Sequence, residues 1–224
     1  MTTPVIKASK VSKKVKTNES TLTILNQVSL EVANGETIAL IGVSGAGKST
    51  LMTLLAGLDV PTSGEIELLG KPLHQLDEEQ RAALRAEYIG FVFQNFLLVP
   101  SLTALENVLL PCTIHGKAED EARAHALLAE VGLSGREGHL PAQLSGGEQQ
   151  RVAIARAFMI KPKVLFADEP TGNLDQQTAA TIVKLLFSLN QENGTTLVLV
   201  THDPKLAEQC HRIIRIDNGQ VVAA

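Results

Sequence analysis

The chain has 224 residues, 44% of them hydrophobic, which is ample for one sizeable folded core. A net charge of −4 leaves no basic footprint, and one Tyr, six Phe and no Trp leave little to stack on bases, so nucleic acid is not an expected partner. No run approaches the ~18 apolar residues of a membrane span, residues 1–15 carry lysines but no apolar signal stretch, and Cys112 and Cys210 fit no metal or CxxC spacing, so both read as incidental thiols of a reduced cytosolic chain.

Residues 5–40 alternate apolar and polar in short runs, among them Leu22–Leu25 and Val28–Val32, with Asn34-Gly35 as a turn signal. Gly64–Gly70 alternates too, and these pieces read as half-exposed antiparallel strands. Thr37–Ile41 reads as a buried strand, and Thr50–Ala56 as a helix. Between them lies Gly42-Val43-Ser44-Gly45-Ala46-Gly47-Lys48-Ser49, which fits the phosphate-binding loop pattern. Glycines let the backbone N–H groups reach phosphate oxygens. Lys48 brings a cation to the β- and γ-phosphates, the Ser49 hydroxyl reaches a magnesium ion, and the helix start faces the anion. Strand, loop and helix in this order predict a nucleoside triphosphate, without saying what its energy drives.

Residues 77–88 read as a short polar helix with acids in its first turn, and 101–110 and 118–131 as further helices. The segment Phe96-Leu97-Leu98-Val99-Pro100 is unusually apolar for a loop; it is either a docking surface or a buried core loop. Ser145 is a good N-cap for a helix running to Phe158, and with Gly146 and Gly147 it makes a second anion-binding helix start. One nucleotide needs only one such cradle, so a second suggests a clamp on the γ-phosphate from another surface. Val164–Ala167 and Thr196–Val200 read as strands buried on both faces, joined by a helix over 176–191. Asp168 and Glu169 follow the first of them at the edge where open α/β sheets bind ligands. Asp168 is placed to organise magnesium and Glu169 to polarise a water. His202 follows the second, and is either functional or a cap for a helix at Asp203-Pro204. Residues 212–222 read as a hairpin turning at Asn218-Gly219.

These motifs together resemble the ATP-binding subunits of ABC transporters, and the resemblance covers essentially the whole chain. Gly90–Gln94, Leu102–Val108 and Asp168–Asp175 are similar to the subgroup that includes the LolD and MacB ATPases. The resemblance implies an α/β fold: a P-loop (RecA-like) core with a mainly parallel sheet, an N-terminal antiparallel β subdomain and an inserted α-helical subdomain at about 95–150, all in a single nucleotide-binding domain over 1–224. The nucleotide would be bound by Gly42, Val43, Ser44, Gly45, Ala46, Gly47, Lys48, Ser49 and Thr50, by Gln94 and Asp175, and by Ser145, Gly146 and Gly147 reaching across a dimer to the partner's ATP. Lys48, Glu169 and His202 would be catalytic, and Ser49, Gln94 and Asp168 would serve magnesium. The implied activity is ATP hydrolysis, with ATP and Mg²⁺ as cofactors. The implied partners are a second copy and an integral-membrane permease of the LolCE/MacB type with a large periplasmic domain. The implied place is the cytoplasmic face of the bacterial inner membrane, held there through the permease, with no insertion of the chain itself.

One position departs from the family. Relatives offer an aromatic after two basic residues to stack on adenine, whereas Lys13-Lys14 are followed here by Val15 and no aromatic precedes Tyr88. Weaker or less base-selective nucleotide binding is the expectation. Two rival functions share the nucleotide motifs. A soluble ATPase acting on DNA or ribosomes would bring a coiled coil, a second ATPase copy or a basic surface, and a module that binds without hydrolysing would not need Glu169 and His202.

Overall fold

The computed structural model describes residues 4–16, 21–116, 118 and 120–222. In chain order the elements are β1 (Ile6–Lys16), β2 (Thr21–Val32), β3 (Thr37–Ile41), α1 (Lys48–Leu55), β4 (Ser63–Leu68), β5 (Lys71–Pro72), α2 (Glu78–Tyr88), β6 (Ile89–Phe93), α3 (Ala104–Ile114), α4 (Glu121–Glu130), α5 (Gly146–Phe158), β7 (Val164–Asp168), α6 (Gln176–Asn193), β8 (Thr196–Val200), α7 (Pro204–Ala207), β9 (Arg212–Asp217) and β10 (Gln220–Val222). The contacts divide the chain into one unit of residues 1–85 and 196–224 and a second of residues 86–195.

In the first unit, β2, β1, β4 and β5 form an antiparallel sheet in that order. The two apolar runs expected at 22–25 and 28–32 belong to one strand, which bends at Gln27 (φ 52°) opposite an irregular stretch of β1 containing Lys10 (φ 50°). The bend keeps Leu25, Val28, Leu30 and Val32 buried although their spacing breaks strict alternation. β3 lies between β8 and β9, parallel to both, and β10 returns antiparallel to β9. That last turn carries Asn218 and Gly219 at φ 45° and 74°, the left-handed pair that a tight hairpin requires. β8 is buried along its whole length and β3 up to Ile41, as near-continuous apolar runs in a parallel arrangement must be. Helix α1 packs Leu51, Met52, Leu54 and Leu55 into this core.

In the second unit, β6 and β7 pair in parallel, with Phe93 level with Asp168. α5 is packed by α3, α4, α6 and β6, and is correspondingly apolar around much of its surface: Val152, Ala153, Ile154, Ala155 and Phe158 are fully buried. Arg123 of α4 donates to the carbonyls of Phe158 and Met159 at 2.8 and 3.0 Å, satisfying the C-terminal end of α5. α3 starts at Ala104 rather than at 101, because Thr103 and Glu106 close a capping box there. It also continues through Pro111 to Ile114. α4 begins after its cap Asp120; of the expected 118–131 span, residue 119 lies outside the described residues. Among the described residues no helix is long and apolar enough to cross a membrane.

Candidate functional site

In the first unit the glycine loop leaves β3 at Gly42 and enters α1 at Lys48. Its shape is imposed by neighbours. A Cβ at Gly42 would overlap the Ile216 carbonyl, and one at Gly47 would stand 2.8 Å from Leu25 Cδ2 and 3.0 Å from the Ile24 carbonyl. Both glycines have positive φ (153° and 100°), so β2 and β9 leave room for no side chain in a conformation that favours glycine anyway. The Gly219 N–H closes the clamp by donating to the Ala46 carbonyl at 3.2 Å. Val43, Ser44 and Gly45 stay exposed at the mouth while Ala46 is buried beneath it.

This loop delivers a helix start that lacks an internal anion. Gly47 caps α1 with no side-chain hydrogen bond, and no acid occupies the first turn. The leading N–H groups of α1 therefore present partial positive charge outward. Lys48, only 9% exposed, donates through Nζ to the carbonyls of Gly42 at 2.9 Å and Val43 at 3.1 Å, which holds its cation over the loop. Ser49 and Thr50 follow on the first turn, Ser49 exposed and Thr50 half-buried. The glycine cradle, the uncapped helix and the held ammonium fit a polyphosphate.

His202 belongs to the same edge. The Thr201 N–H donates to the Leu40 carbonyl, so the exits of β3 and β8 lie side by side, and the glycine loop and His202 leave from them. His202 is exposed and does not cap α7. That task falls to Asp203, whose carboxylate accepts from the Lys205 N–H at 2.9 Å.

In the second unit the exits of β6 and β7 gather Gln94, Asp168 and Glu169 at one edge. Glu169 adopts φ 47°, a left-handed conformation that costs a residue with a Cβ about 1–2 kcal/mol. The turn beyond it is held on several sides. The Gly172 N–H donates to the Glu169 carbonyl at 3.0 Å. Gln94 Nε2 donates to Asn173 Oδ1 at 3.1 Å, and Asn173 Nδ2 returns bonds to the Gln94 carbonyl and Asn95 Oδ1. Gly172 passes so close that a Cβ there would meet Gln94 Nε2 at 2.7 Å.

Ser145, Gly146 and Gly147 open α5 on a separate cleft of about 510 Å³ that Asp175 and Arg151 also line. Asp175 caps α6 by accepting from the N–H groups of Gln177 and Thr178, and the Thr178 hydroxyl holds its carboxyl below the usual range. The Ser145 hydroxyl is not idle, as an open anion cradle would have it. It accepts from the Glu148 N–H at 3.3 Å and donates to the Glu148 carboxylate at 2.7 Å. That carboxylate also takes the Ser145 N–H, bonds that hold Glu148 below the ordinary carboxylate range, and Arg136 lies 3.4 Å away. This helix start thus carries its own acid, unlike that of α1; Ser145 is exposed there, Gly146 half-buried and Gly147 buried.

Three features around these edges are not legible in the sequence. β6 was not apparent, because Ile89–Phe93 is short and merges with the preceding helix. Arg156 donates to the carbonyls of Phe96 at 2.9 Å and Leu97 at 2.6 Å, fixing two left-handed residues (φ 60° and 50°). Of the two readings left open for 96–100, burial in the core does not hold for Leu97, which is 57% exposed. The fully buried Gln150 is the third; it lies in the polar stretch Glu148–Arg151, and nothing in the sequence marks it for burial.

The ABC transporter family model matches residues 25–172. The chain is 58% identical over 219 residues to the uncharacterised ABC transporter ATP-binding protein YbbA of Escherichia coli K12, covering 97% of this chain and 96% of that one. It is 46% identical over 222 residues to the lipoprotein-releasing system ATP-binding protein LolD of Bordetella pertussis, covering 98% and 96%. Among solved structures, a dimeric post-hydrolysis state of the ATP-binding cassette MJ0796 bound to ADP and Pi superposes with a TM-score of 0.90 at 41% identity, over 97% of each chain.

Proposed function

The chain belongs to the ABC transporter ATP-binding family, and from that premise we propose that it binds ATP between two copies of itself and hydrolyses it to drive a separate membrane permease. The observation that carries this reading is the clamped glycine loop feeding an uncapped helix, with Lys48 held above it. Its test is release of inorganic phosphate from ATP by the purified chain, repeated with the permease present if the chain alone is silent.

The roles follow from the chemistry of each group. The loop amides from Gly42 to Thr50 and the Lys48 ammonium bind the β- and γ-phosphates. Ser49, Asp168 and Gln94 would hold magnesium, an ion that takes few protein oxygens and completes its shell with phosphate and water. Bound there, it would neutralise charge on the phosphate oxygens. Glu169 orients and polarises the attacking water, and His202 contacts the γ-phosphate; catalysis of this kind is mostly positioning and charge neutralisation. Ser145, Gly146 and Gly147 act on the partner copy's nucleotide, and Asp175 belongs to the Asn173–Asp175 loop that couples the two sites. The whole of 1–224 is one nucleotide-binding domain, with its helical subdomain at about 95–150.

We assign permease docking to Phe96–Pro100, where an exposed Leu97 rides on a backbone fixed by Arg156. The permease would be of the LolCE/MacB type with a large periplasmic domain, and would keep this chain on the cytoplasmic face of the inner membrane. Leu97→Asp should lose co-purification with the permease while phosphate release by the isolated chain is unchanged. Retention of the permease by a folded Leu97→Asp chain would move the docking site elsewhere.

Val15 bears on the choice of base. It is 41% exposed and pairs across the β1–β2 ladder with Leu22, itself 57% exposed, so this end of the sheet offers aliphatic contact in place of a ring. Stacking on an aromatic is worth about 1–3 kcal/mol. Without it, ATP and GTP should bind within about ten-fold of each other in a competitive titration. A strongly adenine-selective site would contradict this.

A further inference from the structure

We propose that Gln150 is a positioning residue for hydrolysis: from inside α5 it holds the turn that aims Glu169. The inference rests on the ATPase reading above and adds to it a residue that does not touch the nucleotide.

Gln150 is completely buried in the second turn of α5. Its Nε2 donates to the Pro170 carbonyl at 2.7 Å, while its Oε1 has no hydrogen-bond partner. A buried amide with half of its capacity unmet is a poor choice for packing, since an aliphatic side chain of the same bulk would carry no orphaned oxygen. What the amide supplies is the one donor. That donor grips the Pro170–Thr171 peptide, one residue beyond Glu169, which is itself held in a left-handed conformation (φ 47°). From the other side, the Gly172 N–H takes the Glu169 carbonyl and the Gln94–Asn173 pair ties down the end of the turn. Gln150 is the grip that comes from α5.

The location gives the grip a consequence. The same helix begins at Ser145–Gly147, four residues earlier than Gln150 counted from Gly146, or about 6 Å along its axis. Seating a partner's nucleotide against the start of α5 and aiming Glu169 thereby become one mechanical event. Hydrolysis then waits for dimer closure.

Gln150→Met keeps length and bulk and removes the donor; Gln150→Leu is the second variant. In phosphate release from Mg–ATP by the full chain, kcat should fall by about 30-fold, in the range expected for a misplaced catalytic group, with KM within about two-fold of the parent. A merely structural lesion in α5 would instead weaken the nucleotide-dependent dimer. Gln150→Met combined with Glu169→Gln should therefore still trap the ATP-bound dimer as Glu169→Gln does alone. A folded Gln150→Met chain with parental kcat overturns the proposal. So does loss of the trapped dimer in the combined variant, and so does failure of both Gln150 variants to fold, since each outcome makes the residue structural or idle. A parent chain that releases no phosphate under any condition would sink the ATPase reading itself, a result distinguishable from all three.

Discussion

Glu169→Gln leaves ATP binding intact and stops turnover. The substitution keeps the size and the left-handed backbone of a residue that the Gly172 N–H and the β7 exit already hold in place. It removes only the carboxylate that would polarise water. General-base assistance contributes roughly 10²–10⁴-fold, so kcat should fall by that factor while ATP affinity stays within about two-fold. Phosphate release and equilibrium nucleotide binding, measured on the same preparation, separate the two quantities. Turnover near the parental rate would remove Glu169 from the chemistry and return the acid pair to the status of a solvated strand end.

Lys48→Ala has the opposite signature and loses the nucleotide. The ammonium is nearly buried and bonded to the Gly42 and Val43 carbonyls, so it is aimed over the loop before any ligand arrives. A hydrogen bond to a charged group contributes about 1.5–3 kcal/mol, and two to phosphate oxygens make a loss of roughly 100-fold or more in affinity. Removing the side chain also leaves two loop carbonyls without their donor, so the melting temperature should drop by a few degrees while unfolding stays cooperative. Unchanged ATP affinity in a folded Lys48→Ala chain would show that the loop amides alone bind the phosphates.

The placement of these two residues is legible in the sequence because the pattern around each is local. A glycine loop between a buried strand and a helix specifies its own geometry, and an acid pair at the end of four apolar residues marks a strand exit. The hairpin at Asn218-Gly219 was readable for the same reason, since the turn needs those φ values whatever surrounds it. The hidden parts depend on distant partners. Nothing near Gly42 in the chain announces that the Ile216 carbonyl presses on it. β6 is five residues long and takes its identity from pairing with β7. α3 starts at Ala104, later than its apolar pattern suggests, because Thr103 and Glu106 act as a pair across one turn. Ser145 is legible as a cap, but its bond to the Glu148 side chain, which puts a carboxylate at that helix start, is not. Gln150 and Arg156 lie at the extreme of this trend: each is a polar side chain whose partner is a backbone carbonyl 20 or more residues away.

The central claim is that ATP joins two copies of this chain, and the mass of the Glu169→Gln variant in solution tests it most directly. With saturating ATP and magnesium, light scattering on the eluting protein should give twice the chain's 23.9 kDa, and exchange into ADP should return it to a single copy. A particle that stays at 23.9 kDa with ATP demonstrably bound would contradict the account.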